Sequence, residues 1–425
     1  MYTEYDYANQ PVVDIVNDML ADAARKRVSD IHMDPTPEEL IIRVRVDGEL
    51  ALYSKVPANV KKNLVTRVKI ISGMNITESR VPQDGAIKMT IDNRDLDFRV
   101  STLPIVYGEK VVIRLLDYSA TMTSIEALGF SDTNLEKLNE AISKPNGIIL
   151  VTGATGSGKS TTVYSILQRL NTVERNIITV EDPVEMKIDG VNQVQTMSEI
   201  GLTFASALRS ILRQDPDIIM IGEIRDNETA RIAVRASITG HLVLSTIHTN
   251  NSLTTIERLV DMDVERYLLG SALEAIISQR LCKKLCPKCR SSRETTDYEK
   301  RVFKEALGMD IKYIYQPVGC KNCYKGYSGR IALHEVLVLN QEIRDAIVNN
   351  MKKEELRALI YQNKHTISLL DDGLIKVING LTSFEEVLRV IDIEDDLGEE
   401  QSELKNALIG KTKKQPSTTD PIETL

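Results

Sequence analysis

Gly153-Ala154-Thr155-Gly156-Ser157-Gly158-Lys159-Ser160 decides the fold of this chain. It fits the phosphate-loop pattern at every constrained position: a glycine, four free residues, then Gly-Lys followed by Ser or Thr. The apolar run Gly147 to Val151 precedes it and reads as a buried strand, and Thr161 to Leu170 follows as a helix. Strand, glycine loop and helix together turn the string into a site. Glycines let consecutive backbone N–H groups turn inward on a polyphosphate, and the helix N-terminus adds partial positive charge. Lys159 is placed to reach the β- and γ-phosphates, and the Ser160 hydroxyl to hold Mg²⁺. Gly153, Thr155, Gly156, Ser157, Gly158, Lys159, Ser160 and Thr161 are therefore the candidate nucleotide-binding residues.

Working outward, 425 residues suggest two or three domains. Tryptophan is absent and only 5 phenylalanines occur, so the cores must be aliphatic. A net charge of −8 argues against a protein that binds nucleic acid through its global field. No apolar run approaches the ~18 residues of a membrane span. The N-terminus carries Glu4 and Asp6 and lacks an apolar signal core, so a cytoplasmic location is expected, with membrane contact only through partners.

N-terminal to the loop, residues 11–28 space their apolar side chains as an amphipathic helix. Residues 40–46 end in Asp47-Gly48, a hairpin signal. A helix is expected over 57–73, a second hairpin turning near Asp92-Asn93, and a strand over 109–116. This mixture implies a compact α+β domain over 1–117. Residues 118–146 read as a linker with a helix from Ser131 to Ser143. Strands are then expected at 147–152, 177–181, 191–195, 217–221 and 241–246 with helices between, giving an α/β nucleotide-binding domain over 147–395 with a mostly parallel sheet. A cysteine-bearing module at 282–330 interrupts the alternation, and a strand follows near 331–338. Ser383 with Glu386 three residues on reads as a capping box. Residues 396–425 are expected to form a disordered tail.

Three further stretches carry chemistry. Ile178-Thr179-Val180-Glu181-Asp182-Pro183-Val184-Glu185 sets acids at the C-terminal edge of the sheet, where Glu181 can hold or polarise water near Mg²⁺. Asp217-Ile218-Ile219-Met220-Ile221-Gly222-Glu223 has the form of a Walker B strand with Gly222 in place of the usual aspartate. Glu223 is then the candidate to orient or activate the attacking water. In Thr239 to Asn250, His248 at the strand end is placed to sense a γ-phosphate, while His241 is as well explained by a structural role. The first domain supplies Arg80, Arg99 and Arg114, guanidinium groups of the kind that stabilise a transferring phosphoryl group.

Cys286-Pro287-Lys288-Cys289 and Cys320-Lys321-Asn322-Cys323 are two CxxC knuckles, suited to a tetrahedral Zn²⁺ site with four thiolate ligands. Lys283, Lys284, Lys288 and Lys321 are expected to offset the thiolate charge. Cys282 is one ligand too many and reads as a packed thiol.

Together the phosphate loop, the acidic box at 178–185, the Gly222-to-Asp226 stretch and the histidine box resemble the secretion ATPases of type II secretion and type IV pilus assembly. Ser29-Asp30-Ile31-His32, Arg43 to Gly48, Val81 to Gly85 and Arg99 to Pro104 are also similar to family motifs. The resemblance implies a PAS-like N-terminal domain joined to a RecA-like ATPase domain, ATP bound between them, and a homohexameric ring. It implies Glu223 as catalytic base, Glu181 as a second essential acid, His248 as γ-phosphate sensor, and Arg80 or Arg99 reaching phosphates. It implies an inner-membrane platform protein of a pilus or secretion machine as partner, at the inner face of the cytoplasmic membrane. Because zinc modules of this kind occur in assembly and secretion motors, extension is favoured over retraction. Ala86 stands where many relatives place an arginine. Two other functions compete with a motor of this kind. A competence DNA-uptake pseudopilus ATPase fits the same motifs, and a nucleic-acid translocating ring is opposed by acidic charge and scarce aromatics. A nucleotide-regulated scaffold is the non-enzymatic reading, prompted by Gly222.

Overall fold

A computed structural model describes residues 2–117, 124–361 and 365–391. The chain divides into two units, Met1–Met122 and Thr123–Leu425.

The first unit contains α1 (Val12–Arg25), β1 (Asp30–Pro35), β2 (Glu39–Val46), β3 (Glu49–Pro57), α2 (Ala58–Ile71), β4 (Gln83–Ile91), β5 (Arg94–Ile105) and β6 (Gly108–Asp117). The strands form one antiparallel sheet in the order β3-β2-β1-β6-β5-β4. Period-two alternation puts Leu40, Ile42, Val44 and Val46 of β2 into the core. There they join Ile15, Met19 and Leu20 of α1 and Leu64 and Val68 of α2. Both expected hairpin turns form: Asp47 and Gly48 have φ of 49° and 91°, and Asp92 and Asn93 of 51° and 59°. Two successive positive φ values match the right-handed twist of the strands they join. Gly85 is a packing glycine, since a Cβ there would lie 2.3 Å from the Ser72 carbonyl oxygen at the end of α2.

The second unit contains α3 (Asp132–Ile142), β7 (Gly147–Thr152), α4 (Lys159–Leu170), β8 (Ile177–Glu181), β9 (Asn192–Gln195), α5 (Phe204–Ile211), β10 (Ile218–Ile221), α6 (Asn227–Ile238), β11 (Leu242–Ile247), α7 (Ser252–Asp261), α8 (Arg266–Ala272), β12 (Leu273–Leu285), β13 (Ser291–Glu294), α9 (Asp297–Leu307), β14 (Tyr313–Gln316), β15 (Tyr327–Val338), α10 (Gln341–Val348), α11 (Lys353–Tyr361), α12 (Leu369–Ile378) and α13 (Phe384–Val390). Its sheet runs β15-β12-β7-β11-β10-β8-β9. Six strands are parallel, and β15 is antiparallel to β12 at one edge. Strands β7, β8, β10 and β11 are buried at every residue, as expected when helices cover both faces.

The structure adds to and corrects the sequence-based expectations. Strand β12 is not among the expected strands. Ser278, Gln279, Arg280, Lys283 and Lys284 break its apolar run, yet Ser278, Gln279 and Arg280 are buried. Strands β12 and β15 form a long antiparallel pair, and the cysteine knuckles lie between them in sequence, at the far end of the pair. The helix expected within the linker is α3. Ser131 caps it, and Asn134 Nδ2 donates to the His334 carbonyl oxygen of β15 at 3.1 Å, fastening it to the second unit. At α13, Ser383 Oγ accepts from Glu386 N at 3.3 Å, but the reciprocal half of the capping box is not formed. Glu386 instead accepts from Lys283 N and pairs with Lys283 Nζ and Arg389. Most of the linker's first residues, 118–123, and the expected tail 396–425 lie outside the described residues.

Candidate functional site

The C-terminal ends of β7, β8, β10 and β11 open onto one cleft of about 400 Å³. Lys159, Ser160, Tyr164, Glu181, Glu223 and His248 all line it. The phosphate loop enters between β7 and α4. Gly153, Gly156 and Gly158 have φ of +148°, +78° and +92°, backbone conformations that a side chain would strain. Gly158 is the N-cap of α4, so the helix's first N–H groups face the loop. Lys159 is only 8% exposed. Its Nζ donates to the carbonyl oxygens of Gly153 (2.8 Å) and Ala154 (3.1 Å), contacts that polyphosphate oxygens can replace. Burial holds the Lys159 ammonium below its ordinary pKa; Glu223 pulls the other way, and Arg280 adds to the depression.

Glu181 ends β8 and is 3% exposed. Thr179 Oγ1 donates to its Oε1 at 2.6 Å, Gln193 Nε2 donates to the same oxygen at 3.0 Å, and the Tyr164 hydroxyl donates to Oε2. Burial and the adjacent carboxylate push the Tyr164 phenol up, so it remains a donor. Glu181 is thus a carboxyl group fixed in place on the cleft wall. Tyr164, Thr179 and Gln193, which hold it, are not among the site residues that the sequence motifs single out. One signal was within reach: a phenol five residues after Lys159, among the apolar residues of α4.

Glu223 lies just past β10, its side chain 14% exposed. Arg225 forms an ion pair with one carboxylate oxygen, and His248 Nε2 is 3.4 Å from the other. The alternatives of a structural acid paired with Arg225 and a cleft residue therefore coexist. Burial and Lys159 push the His248 pKa down, against the pull of Glu223, which leaves the ring neutral near pH 7. The aspartate-to-glycine exchange at Gly222 has a steric reason. A Cβ there would stand 3.3 Å from both Glu181 Cα and the Val180 carbonyl oxygen. His241 takes the structural role: its Nδ1 is 2.9 Å from the Ala236 carbonyl oxygen near the end of α6.

Arg80, Arg99 and Arg114 belong to the first unit. The Arg80 side chain is 86% exposed and pairs with Glu78 at 2.7 Å. Arg99 stands in β5 opposite Ala86 on one side and Arg114 on the other. Arg114 Nε donates to Asp30 at 3.1 Å.

Beyond β12, the thiol sulfurs of Cys286, Cys289, Cys320 and Cys323 all lie within 4.8 Å of one another. Cys286 to Cys320 is 4.0 Å, and Cys289 to Cys323 and Cys320 to Cys323 are each 3.7 Å. A tetrahedron with zinc–sulfur arms of about 2.3 Å has edges of roughly 3.8 Å. The donor set and its spacing therefore fit Zn²⁺, with every position filled by protein, as in structural sites. Cys320 N donates to the Cys323 sulfur at 3.3 Å. Cys282 is separate: it is fully buried and its thiol faces the Ile331 carbonyl oxygen. Lys283 Nζ pairs with Glu386 at 3.0 Å and lies over the Tyr327 ring.

Among the described residues, no helix is long and apolar enough to cross a membrane. The family described as "Type II/IV secretion system protein" matches residues 6–389. The type II secretion system protein E of Aeromonas hydrophila is 47% identical over 384 residues, 89% of this chain and 75% of that protein. The type IV pilus assembly ATPase PilB of Myxococcus xanthus is 45% identical over 383 residues, 89% of this chain and 67% of its own. Among solved structures, the pilus retraction motor PilT with bound ADP superposes with a TM-score of 0.61 at 27% identity, covering 92% of this chain and 99% of its own.

Proposed function

The chain belongs to the type II/IV secretion system protein family and is a RecA-like ATPase, and from that premise we propose that it is a hexameric motor for pilus or pseudopilus assembly. The observation that carries the reading is the convergence of Lys159, Glu181, Glu223 and His248 on one cleft beside a phosphate loop.

The loop N–H groups and Lys159 bind the β- and γ-phosphates of ATP. The Ser160 hydroxyl would hold Mg²⁺, which would supply positive charge to the polyphosphate. Glu223 takes the proton of the attacking water. Its partners suit a general base, because neutral His248 and Arg225 orient the carboxylate without occupying the whole cleft. His248 senses the γ-phosphate. Glu181, locked by three donors, would serve as a second acid beside Glu223 with Mg²⁺ bound. Arg80 or Arg99 would supply a cation to the polyphosphate in the assembled enzyme. Cys286, Cys289, Cys320 and Cys323 hold a structural Zn²⁺, and this module supports extension rather than retraction. The ring works on an inner-membrane platform protein at the cytoplasmic face and has no need of nucleic acid.

Glu223→Gln tests the central assignment. The variant is expected to bind ATP and to lose steady-state phosphate release. Wild-type-like hydrolysis would remove Glu223 as the base. Sedimentation of the nucleotide-bound protein as a hexamer, and its co-purification with a platform protein, are the expected outcomes for assembly and partner.

A further inference from the structure

Strand β12 passes behind the phosphate loop, and Gln279 is the residue at the level where β7 ends. The neighbouring pair Ser278 and Thr152 is the last in register between the two strands. Gln279 is 2% exposed, and both ends of its side-chain amide are used. Nε2 donates to the Ser157 carbonyl oxygen at 2.8 Å, and Oε1 accepts from Thr162 Oγ1 at 2.7 Å. The amide orientation follows from chemistry: a carbonyl only accepts, so nitrogen faces Ser157, and the Thr162 hydroxyl donates to the oxygen.

From this geometry we propose that Gln279 is a positioning residue for nucleotide binding, a strut that sets the shape of the phosphate loop; the inference rests on the nucleotide-site reading above. A trans peptide points its C=O and N–H in opposite directions. Tying the Ser157 carbonyl back to β12 therefore aims the next amide, Gly158 N–H, away from β12 and into the hollow that receives the β-phosphate. The link to Thr162 fixes the first turn of α4 to the same strut. The two flanking glycines answer to the same residue. A Cβ on Gly153 would lie 2.3 Å from the Gln279 carbonyl oxygen, and one on Gly158 would lie 2.7 Å from Gln279 Nε2. The loop's need for glycine at these positions thus comes from β12 as much as from the ligand.

The test measures binding of a fluorescent ADP to the full chain, with the melting temperature followed in parallel. Gln279→Glu keeps the side-chain shape but removes the donor to Ser157. Gln279→Leu removes both contacts. Each is expected to weaken ADP binding by about tenfold to a hundredfold, because the released Ser157 carbonyl no longer aims the Gly158 N–H at the phosphate. The fall in kcat/KM should come chiefly through KM. Thr162→Val leaves the Ser157 contact in place and is expected to bind within about threefold of wild type. Wild-type ADP affinity in Gln279→Glu overturns the strut. Lys159→Ala, run beside it, separates the two levels: wild-type binding there overturns the nucleotide site itself. Loss in Lys159→Ala with no loss in either Gln279 variant overturns only the strut.

Discussion

Replacing Glu181 separates what its charge does from what its oxygens hold. In Glu181→Ala, Tyr164 and Thr179 lose their acceptor in a buried setting, and Gln193 Nε2 keeps only the Met186 carbonyl oxygen. Each stranded donor costs about 1–3 kcal/mol, and partial rehydration from the cleft brings the total to about 3–5 kcal/mol. For a unit of this size about 2 °C is lost per kcal/mol, so the melting temperature should fall by roughly 6–10 °C. Glu181→Gln keeps one oxygen as an acceptor. The Tyr164 and Thr179 hydroxyls can rotate to accept from the new amide, so the loss should be only about 1–2 kcal/mol. Turnover should nevertheless fall about a hundredfold, since the negative charge is gone. Calorimetry and steady-state phosphate release on both variants check this. An unchanged melting temperature in Glu181→Ala refutes the hydrogen-bonded carboxylate. Wild-type turnover in Glu181→Gln refutes the catalytic use of its charge.

Burial, with Lys376 adding to it, pushes the His334 pKa well below its ordinary value, so below pH 6.5 only the unfolded chain takes up this proton. Stability should therefore fall with acidity between pH 6.5 and 5, at a rate approaching about 1.4 kcal/mol per pH unit from this residue. His334→Gln should flatten that slope in denaturant titrations, and an unchanged slope counts against it. Gly222→Ala forces a methyl against the backbone of β8 and should cost about 1–3 kcal/mol in thermal unfolding; a neutral result would show that the strands yield. Cys286→Ser should lower the zinc content of the purified chain while ADP binding stays largely intact, and one equivalent of zinc retained would exclude Cys286 as a ligand.

Much of the fold could be read from the sequence because its signals are local. The glycine loop, the Asp-Gly and Asp-Asn turns and the runs of aliphatic residues each name their own conformation. The misses are long-range. Strand β12 hides its identity because Gln279, Arg280 and Ser278 are polar yet buried, and Gln279 finds its partners far away in the chain. Glu386 shows the opposite case, a local capping signal overridden when Lys283, distant in sequence, claims the carboxylate. In the site, Lys159, Glu181 and Glu223 could be proposed from motif spacing. Gln193 could not, and Tyr164 offered only its place on α4, since only the folded sheet brings either to Glu181. The role of Gly222 also waits on the fold, because the crowding comes from β8, a neighbour in space.

Strand β12 ties two pieces of chemistry to a fixed distance along one extended segment. Gln279 must face the glycine loop, and Cys286, just past the strand end, must meet the second knuckle. The pairing with β15 already shifts register once between Lys283 and Leu285, so adding or removing a further residue would change how the segment beyond it meets the second knuckle. The segment is therefore a measuring stick whose length tolerates substitution far better than change of count. A cysteine module grafted from a relative will keep both ends in place only if the splice preserves that count.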